Sequence, residues 1–260
     1  MADLRLGSMV TEDSGSSGPA VVLVHGLGGD SNTFAPLMSA LDGCRALRPD
    51  LPGAGRSALR PGRPGLKGLA AAVCDAVRAA GIERAHFAGH SMGTLICQHL
   101  AADLPDAVLS LALFGPILEP APAARQALKE RAETVRREGM AGIADSVSTA
   151  SIAEASRRNN PVAPAFVRES LMRQDPAGYA AHCRVLAMAA AANHTAIRCP
   201  TLLIAGEKDP VAPVAMAEAL KNRISGAELE ILPDTGHWMT IEAPARSAEL
   251  LRAHLDRAAG

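Results

Sequence analysis

Three residues of this chain have the types and the order that nucleophilic catalysis requires. Ser91 lies in the run G-H-S-M-G at 89–93, which fits the G-x-S-x-G pattern of a serine on a sharp turn between a strand and a helix. Asp209 follows in G-E-K-D-P-V, and His237 follows in D-T-G-H-W. In such a set Ser91 would attack an acyl carbon, His237 would take the hydroxyl proton, and Asp209 would orient the imidazole.

Each of these residues also has a simpler interpretation. Ser91 could be a structural serine in a turn, His237 a solvated loop histidine, and Asp209, which precedes a proline, a cap for the next helix or turn. Asp234 is a rival acid, but its place three residues before His237 favours a local Asx turn, and Glu207 is a weaker rival. Catalysis is favoured because Ser, Asp and His occur in this order, each just after an apolar strand.

Two backbone amides are candidates for the donors that a developing oxyanion needs. Met92 follows the serine at the start of its helix. Leu27 lies in H-G-L-G-G at 25–29, where glycines let the backbone approach a substrate closely. A glycine-rich turn without a ligand is the alternative. Nucleotide binding is not expected, because the loop lacks both the Lys-Ser/Thr ending of a phosphate loop and the full G-x-G-x-x-G spacing. His25 is expected to anchor this loop.

Apolar strands alternate with helical stretches along most of the chain. This alternation predicts an α/β fold with a mostly parallel central sheet and helices on both faces. A weak first strand precedes a flexible turn at 12–19, and the continuously apolar run at 20–24 suits a strand buried on both faces. The other predicted strands are 44–49, 84–89, 108–114, 201–206 and 228–232, and the predicted helices are 66–80, 92–104, 213–222 and 241–257.

Residues 116–198 interrupt this alternation with prolines and then with charged, alanine-rich helical sequence. The interruption predicts a core domain formed by residues 1–115 and 199–260, with an inserted helical cap at 116–198. Ligands of open α/β sheets bind outside the carboxyl ends of the strands, so the cap is expected to cover Ser91.

Composition limits the classes of function. The 260 residues carry a net charge of −1 without a basic stripe, so no nucleic-acid partner is expected. We expect no secretory signal, no membrane span and a cytoplasmic protein. The five cysteines show no C-x-x-C spacing and suit reduced thiols. No cluster has zinc-ligand spacing, so no metal and no organic cofactor are expected. The expected partner is a small molecule, and the expected state is a monomer or small homo-oligomer.

Five motifs resemble the α/β-hydrolase superfamily: H-G-L-G-G at 25–29, D-L-P-G-A-G-R-S at 50–57, G-H-S-M-G at 89–93, G-E-K-D at 206–209 and D-T-G-H at 234–237. The resemblance implies a hydrolase with a Ser–Asp–His triad. Relatives that open epoxides or displace halide carry an aspartate at position 91, so the serine argues against those reactions.

The segments 135–147 and 175–186 are similar to the cap of the 3-oxoadipate enol-lactonase branch. This likeness implies a lactone or ester of a small compound, with carboxylate-bearing compounds among the candidates. The chain departs from that branch in lacking a tryptophan at 148–150 and a serine at 26, and in having histidine rather than leucine at 90. These departures affect the pocket and leave the mechanism intact.

The expected activity is hydrolysis of a small carboxylic ester or lactone through an acyl-enzyme. The alternatives are a C–C bond hydrolase of the type that cleaves meta-cleavage diketones, and a non-catalytic ligand receptor on the same fold. Candidate pocket residues are Gly26, His90, Trp238 and Met239. One cap arginine could pair with a substrate carboxylate, although charges on such helices more often form a solvated face. The cap arginines considered are Arg125, Arg131, Arg136, Arg137, Arg157 and Arg158.

Overall fold

The central sheet has eight strands in the order β1-β2-β4-β3-β5-β6-β7-β8. The computed structural model describes residues 2–59 and 65–259. β1 pairs antiparallel with β2, and β2 pairs antiparallel with β4, whereas every other neighbouring pair is parallel. The strands are β1 (Ala2–Leu6), β2 (Met9–Asp13), β3 (Ala20–Val24), β4 (Arg45–Pro49), β5 (Ala85–His90), β6 (Val108–Phe114), β7 (Thr201–Gly206) and β8 (Glu228–Leu232).

Successive residues of a strand point to opposite faces of the sheet. The apolar strands therefore have two faces to bury, and helices cover both of them. Val22 and Val24 of β3 pack into one apolar core, and Val21 and Leu23 pack into a second core on the other face. A 3-10 segment, Ser31–Leu41, packs in the second core. The helices of the core domain are α1 (Leu66–Ala79), α2 (Met92–Asp103), α8 (Val214–Lys221), α9 (Met239–Glu242) and α10 (Pro244–Ala259).

The predicted mostly parallel α/β architecture is therefore confirmed, with three local differences. The weak first strand is an antiparallel hairpin of β1 and β2, which turns at Gly7 with φ +59°. The 3-10 segment was not predicted, since Pro36 interrupts its helical pattern. The single helix expected at 241–257 is divided into α9 and α10, with the break before Pro244.

Five further helices follow β6 and precede β7, all within residues 116–198. α3 packs along α7, and α4 packs along α6. Two glycines allow this segment to approach the core closely: a Cβ at Gly178 would lie 1.9 Å from the carbonyl oxygen of Gly53. We refer to residues 116–198 as the cap. Its helices are α3 (Pro122–Glu138), α4 (Ala141–Ala150), α5 (Glu154–Asn159), α6 (Val162–Met172) and α7 (Pro176–Ala187).

Within the described ranges, no helix is long and apolar enough to cross a membrane.

Candidate active site

Ser91 occupies a strained turn between β5 and α2. Its backbone adopts φ 54° and ψ −120°, a left-handed conformation that non-glycine residues rarely adopt. The glycines two positions before and after Ser91 are required, because a side chain at either position would collide with backbone atoms. A Cβ at Gly93 would lie 2.1 Å from the Val24 carbonyl oxygen, and one at Gly89 would lie 2.7 Å from the Gly93 carbonyl oxygen. The turn therefore holds Ser91 beyond the carboxyl end of the sheet.

Ser91, His237 and Asp209 form one continuous hydrogen-bonded chain. The Ser91 hydroxyl Oγ lies 2.8 Å from His237 Nε2, and His237 Nδ1 lies 2.7 Å from Asp209 Oδ2. With the proton on Nδ1, the imidazole donates to the carboxylate and leaves Nε2 free to accept from the hydroxyl. All three residues are buried, with 5% of each exposed. The structure thus brings together the three residues that the sequence analysis selected.

Backbone amides bond to the second carboxylate oxygen of Asp209. Its Oδ1 accepts hydrogen bonds from the amides of Val211 (2.7 Å) and Ala212 (2.9 Å). Burial raises the pKa of the Asp209 carboxyl, but the neighbouring His237 and these two amides outweigh burial and bring the pKa below its ordinary value. A carboxylate in this position can balance the charge of an imidazolium.

The two rival acids lie outside this chain of hydrogen bonds. Asp234 is exposed and adopts φ 49°, a conformation that aspartate tolerates in turns. Its amide donates to Glu207 Oε2 at 3.0 Å, and the Glu207 carboxylate also pairs with Lys208. Neither acid bonds to the imidazole of His237, whose carboxylate partner is Asp209.

His237 is positioned by backbone contacts on both sides. Its amide donates to the carbonyl oxygen of Ser151 in the cap at 2.8 Å. Its own carbonyl oxygen accepts from His90 Nε2 at 2.8 Å. Burial and the adjacent His237 lower the pKa of His90 to about 3, so this second imidazole stays neutral at neutral pH. His90 therefore stabilises the loop of His237 through this hydrogen bond to the backbone.

The two amides proposed for the oxyanion are those of Met92, the residue after Ser91, and of Leu27. Leu27 lies in a turn closed by a 3.1 Å hydrogen bond from the Gly29 amide to the Gly26 carbonyl oxygen. Within the described parts of the chain, neither the Leu27 nor the Met92 amide has a protein acceptor. His25 anchors the turn, as expected: its Nδ1 lies 2.9 Å from the Gly26 carbonyl oxygen, and its Nε2 accepts from the Leu51 amide.

A cavity of about 480 Å³ lies between the cap and the core, and both Ser91 and His237 line it. Of the four candidate pocket residues, Trp238 lines the cavity, and its indole N–H donates to Ser151 Oγ at 3.0 Å. The described cavity-lining residues are Leu27, Ser91, Ile117, Pro120, Ala121, Ala123, Ala124, Ala127, Leu128, Arg131, Val147, Ser151, Tyr179, Leu186, Pro210, Val211, Pro213, Met216, His237 and Trp238.

Three candidate pocket residues lie elsewhere. Met239 is fully buried in the second core, beneath the other face of the sheet. His90 is buried under the His237 loop, with its imidazole centroid 5.0 Å from that of His237. Gly26 is buried against the turn of Ser91, where an added Cβ would lie 2.7 Å from Ser91 Cβ. Glycine rather than the serine of the enol-lactonase branch therefore fits position 26 in this backbone.

The cap supplies most of the cavity wall, and sequence reasoning missed most of these lining residues. Of the cap arginines considered, Arg131 lines the cavity, next to the buried phenol of Tyr179. By contrast, Arg125 pairs with Glu119, and Arg158 pairs with Glu154. No motif marks Arg131 or Tyr179, because only the packing of α3 against α7 turns them toward Ser91. No group of His, Cys, Asp or Glu residues placed to hold a metal occurs in the described ranges.

The chain is similar to known proteins along most of its length. Residues 19–244 match the profile of a family described as alpha/beta hydrolase fold. The chain is 31% identical over 238 residues to 3-oxoadipate enol-lactonase 1 of Acinetobacter baylyi, covering 89% of this chain and 86% of the relative. A thermophilic esterase from Thermogutta terrifontis superimposes with a TM-score of 0.92 at 27% identity, covering 99% of each chain. The enol-lactonase from Burkholderia xenovorans gives 0.90 at 28% identity, covering 98% of this chain and 100% of that chain.

Proposed function

This chain belongs to the alpha/beta hydrolase family, and from that premise we propose that it hydrolyses small carboxylic esters or lactones with Ser91 as nucleophile. The observation that carries the proposal is the hydrogen-bonded chain from Asp209 through His237 to Ser91, which ends at the wall of the cavity. This arrangement supplies a nucleophile, a base and an acid that orients the base.

The proposed reaction passes through an acyl-enzyme. Ser91 Oγ bonds to the carbonyl carbon while its proton moves to His237 Nε2, and the Leu27 and Met92 amides donate to the resulting oxyanion. The tetrahedral intermediate then breaks the bond to the leaving oxygen, which takes the proton from His237. Water then bonds to the acyl carbon and loses a proton to the same nitrogen. The bond from that carbon to Ser91 Oγ breaks, Ser91 takes the proton back from His237, and the acid is released. In a lactone the leaving alcohol and the acid remain one molecule.

The cavity wall supports this substrate class. Most of the lining side chains are aliphatic, so the wall favours a compact aliphatic acyl group rather than a stacked aromatic one. Its one cationic side chain among the described lining residues is Arg131, which forms no ion pair with a carboxylate in the described ranges. A substrate carboxylate at the cap side of the cavity would give this guanidinium its partner. Similarity to enol-lactonases supports the same class.

Covalent labelling tests the nucleophile. Wild-type protein incubated with a fluorophosphonate should gain the mass of one phosphonyl adduct, whereas Ser91→Ala should gain none. Ser148→Ala is a matched control, because this buried cap serine bonds to the Asp145 carbonyl oxygen of its own helix. Absence of an adduct on folded wild-type protein would contradict the proposal and favour a ligand receptor. Adduct formation without turnover of esters or lactones, but with cleavage of a ring-fission diketone, would favour a C–C bond hydrolase.

Paired substrates test the class. Mono-4-nitrophenyl glutarate carries a free carboxylate, whereas 4-nitrophenyl pentanoate is a neutral ester of the same acyl length. Arg131→Met should lower kcat/KM for the glutarate about 30-fold, since a charged hydrogen bond contributes about 2 kcal/mol, and should leave the pentanoate unchanged. Arg125→Met is the control, because Arg125 already pairs with Glu119. Equal losses on both substrates would contradict a carboxylate site at Arg131.

A further inference from the structure

The loop that presents the Leu27 amide is in contact with the cap. We call residues 26–29 the oxyanion loop. Ser170, near the end of α6, is buried and donates a hydrogen bond from its hydroxyl to the Gly28 carbonyl oxygen at 2.9 Å. This bond joins residues 142 positions apart in the chain, across the boundary between cap and core. The backbone of the oxyanion loop is thus bonded to a cap side chain.

Gln174 adds a second connection at the same place. Its side-chain Nε2 lies 3.5 Å from the Gly28 carbonyl oxygen and 3.4 Å from that of Gly29, and it donates to the Ser170 carbonyl oxygen at 3.0 Å. Its Oε1 accepts from the Gly55 amide at 3.3 Å. The buried amide of Gln174 therefore joins the cap, the oxyanion loop and the loop after β4.

Packing leaves the oxyanion loop little room to move against the cap. Gly28 adopts φ +79°, and a Cβ there would lie 2.3 Å from Leu171 Cδ2 and 3.2 Å from Tyr179 Cε2. Both of those side chains belong to cap helices. The conformation of the turn that contains Leu27 is therefore determined partly by the core, through His25, and partly by the cap.

We propose that Ser170 and Gln174 are positioning residues, which hold the oxyanion loop so that the Leu27 amide points at the reacting carbonyl oxygen. The proposal rests on the function proposed above. Its consequence is that the oxyanion hole is complete only while the cap is docked. A cap that moves away from residues 26–29 would remove two hydrogen-bond donors from the Gly28 carbonyl and release the turn.

An ester and its thionoester, in which sulfur replaces the carbonyl oxygen, report on this geometry directly. Sulfur accepts hydrogen bonds poorly, so an intact oxyanion hole favours the oxygen ester, and a displaced Leu27 amide lowers that preference. Loss of an oxyanion donor costs about 10²–10³-fold in kcat, and a displaced donor should cost about 10-fold. Ser170→Ala should therefore lower kcat for the oxygen ester about 10-fold with little change in KM, and should lower the ester-to-thionoester ratio.

The variants are chosen to separate positioning from folding. Gln174→Leu should act in the same direction as Ser170→Ala, and Ser170→Thr, which keeps the hydroxyl, should restore the ratio. Ser148→Ala is the matched control, since it removes a buried cap hydroxyl that does not reach the oxyanion loop. A trifluoromethyl ketone, which forms a stable oxyanion on the serine, should lose affinity in Ser170→Ala by the same factor as kcat/KM.

Each result either supports or overturns the positioning role of Ser170 and Gln174. A ratio within twofold of wild type in folded Ser170→Ala and Gln174→Leu, with only a lower melting temperature, would overturn the proposal. If one variant does not fold, the other decides, and failure of both to fold would establish a structural role instead. Wild-type protein that hydrolyses neither ester contradicts the proposed function, whereas an active wild type with unaffected variants contradicts the positioning role alone.

Discussion

Replacing Asp209 with asparagine should abolish most activity while preserving the fold. Asp209 Oδ1 accepts from two backbone amides, Val211 and Ala212, and Oδ2 faces His237 Nδ1. Asparagine has one acceptor oxygen and one NH2 donor, so the two ends of its side chain are no longer equivalent. If the oxygen stays on the two amides, the NH2 group faces Nδ1 and forces the imidazole proton onto Nε2, where it blocks proton transfer from Ser91.

The opposite orientation would keep the productive tautomer but would cost more free energy. It would place the NH2 group against two amide donors, the buried one of Ala212 and the part-buried one of Val211, and leave both without a protein acceptor, at about 2 kcal/mol each. A difference of about 4 kcal/mol populates the productive arrangement about once in 10³ molecules, since each factor of ten corresponds to about 1.4 kcal/mol. We therefore expect kcat for Asp209→Asn to fall about 10³-fold, with an unfolding free energy close to that of wild type.

Steady-state hydrolysis of 4-nitrophenyl acetate measures the rate, and long-range nitrogen–proton NMR of His237 reports which ring nitrogen carries the proton. Asp234→Asn and Glu207→Gln are matched controls, because these acids lie in the same region but do not contact the imidazole. Both should remain within about twofold of wild type. A loss of less than tenfold in Asp209→Asn, or a proton that stays on Nδ1, would refute the reasoning.

Gly93→Ala should cost at least about 3 kcal/mol of unfolding free energy, because its Cβ would lie 2.1 Å from the backbone oxygen of Val24 and overpacking against backbone is poorly relieved. Gly142→Ala, on an open face of α4, should instead gain about 0.5 kcal/mol, and urea melts that rank the two alike would contradict this contrast. Burial lowers the pKa of His182, which donates to the Pro52 carbonyl oxygen, to about 4. The unfolded chain therefore binds a proton below about pH 6.5 that the folded protein does not, so stability falls as pH falls toward 4. His182→Gln should lose about 2 kcal/mol less than wild type between pH 7 and pH 5, and identical losses would exclude this histidine.

The sheet was predictable from sequence where the strands are continuously apolar. β3, β6, β7 and β8 have the predicted bounds, and β4 and β5 differ from theirs by one residue. β3, β6 and β7 are buried parallel strands that contain little but apolar residues, so their sequences are unambiguous. The edge strand β8, E-L-E-I-L, is recognisable instead by its alternation of polar and apolar residues. The hairpin of β1 and β2 lies at the edge of the sheet, where polar residues are tolerated and the pattern is weaker.

Some of the residues proposed to act on the substrate were also recognisable from sequence, and others were not. Ser91, Asp209 and His237 were selected because each follows a recognisable strand and has a local motif, and the amide of Met92 was selected because Met92 directly follows Ser91 in the turn. Of the candidate pocket residues, Trp238 lines the cavity, whereas Gly26, His90 and Met239 are buried elsewhere. These residues were chosen because they lie in or next to a motif. Proximity in sequence does not predict which side chains face a cavity, because that depends on how distant segments pack.

The sequence by itself determined the alternation of the main strands and helices, the tight glycine turn at Ser91 and the types of the three side chains that are proposed to react. These properties depend on local sterics and on apolar periodicity, which neighbouring residues encode. Only the tertiary structure decided that Ser91 and His237, 146 positions apart, lie 2.8 Å from each other. The same is true of Arg131, which lines the cavity beside Ser91, and of Ser170, which bonds to the Gly28 carbonyl oxygen. The first contact depends on how the strands assemble into one sheet, and the other two depend on how the cap packs on the core. Both are sums of many distant interactions that no single segment of the chain contains.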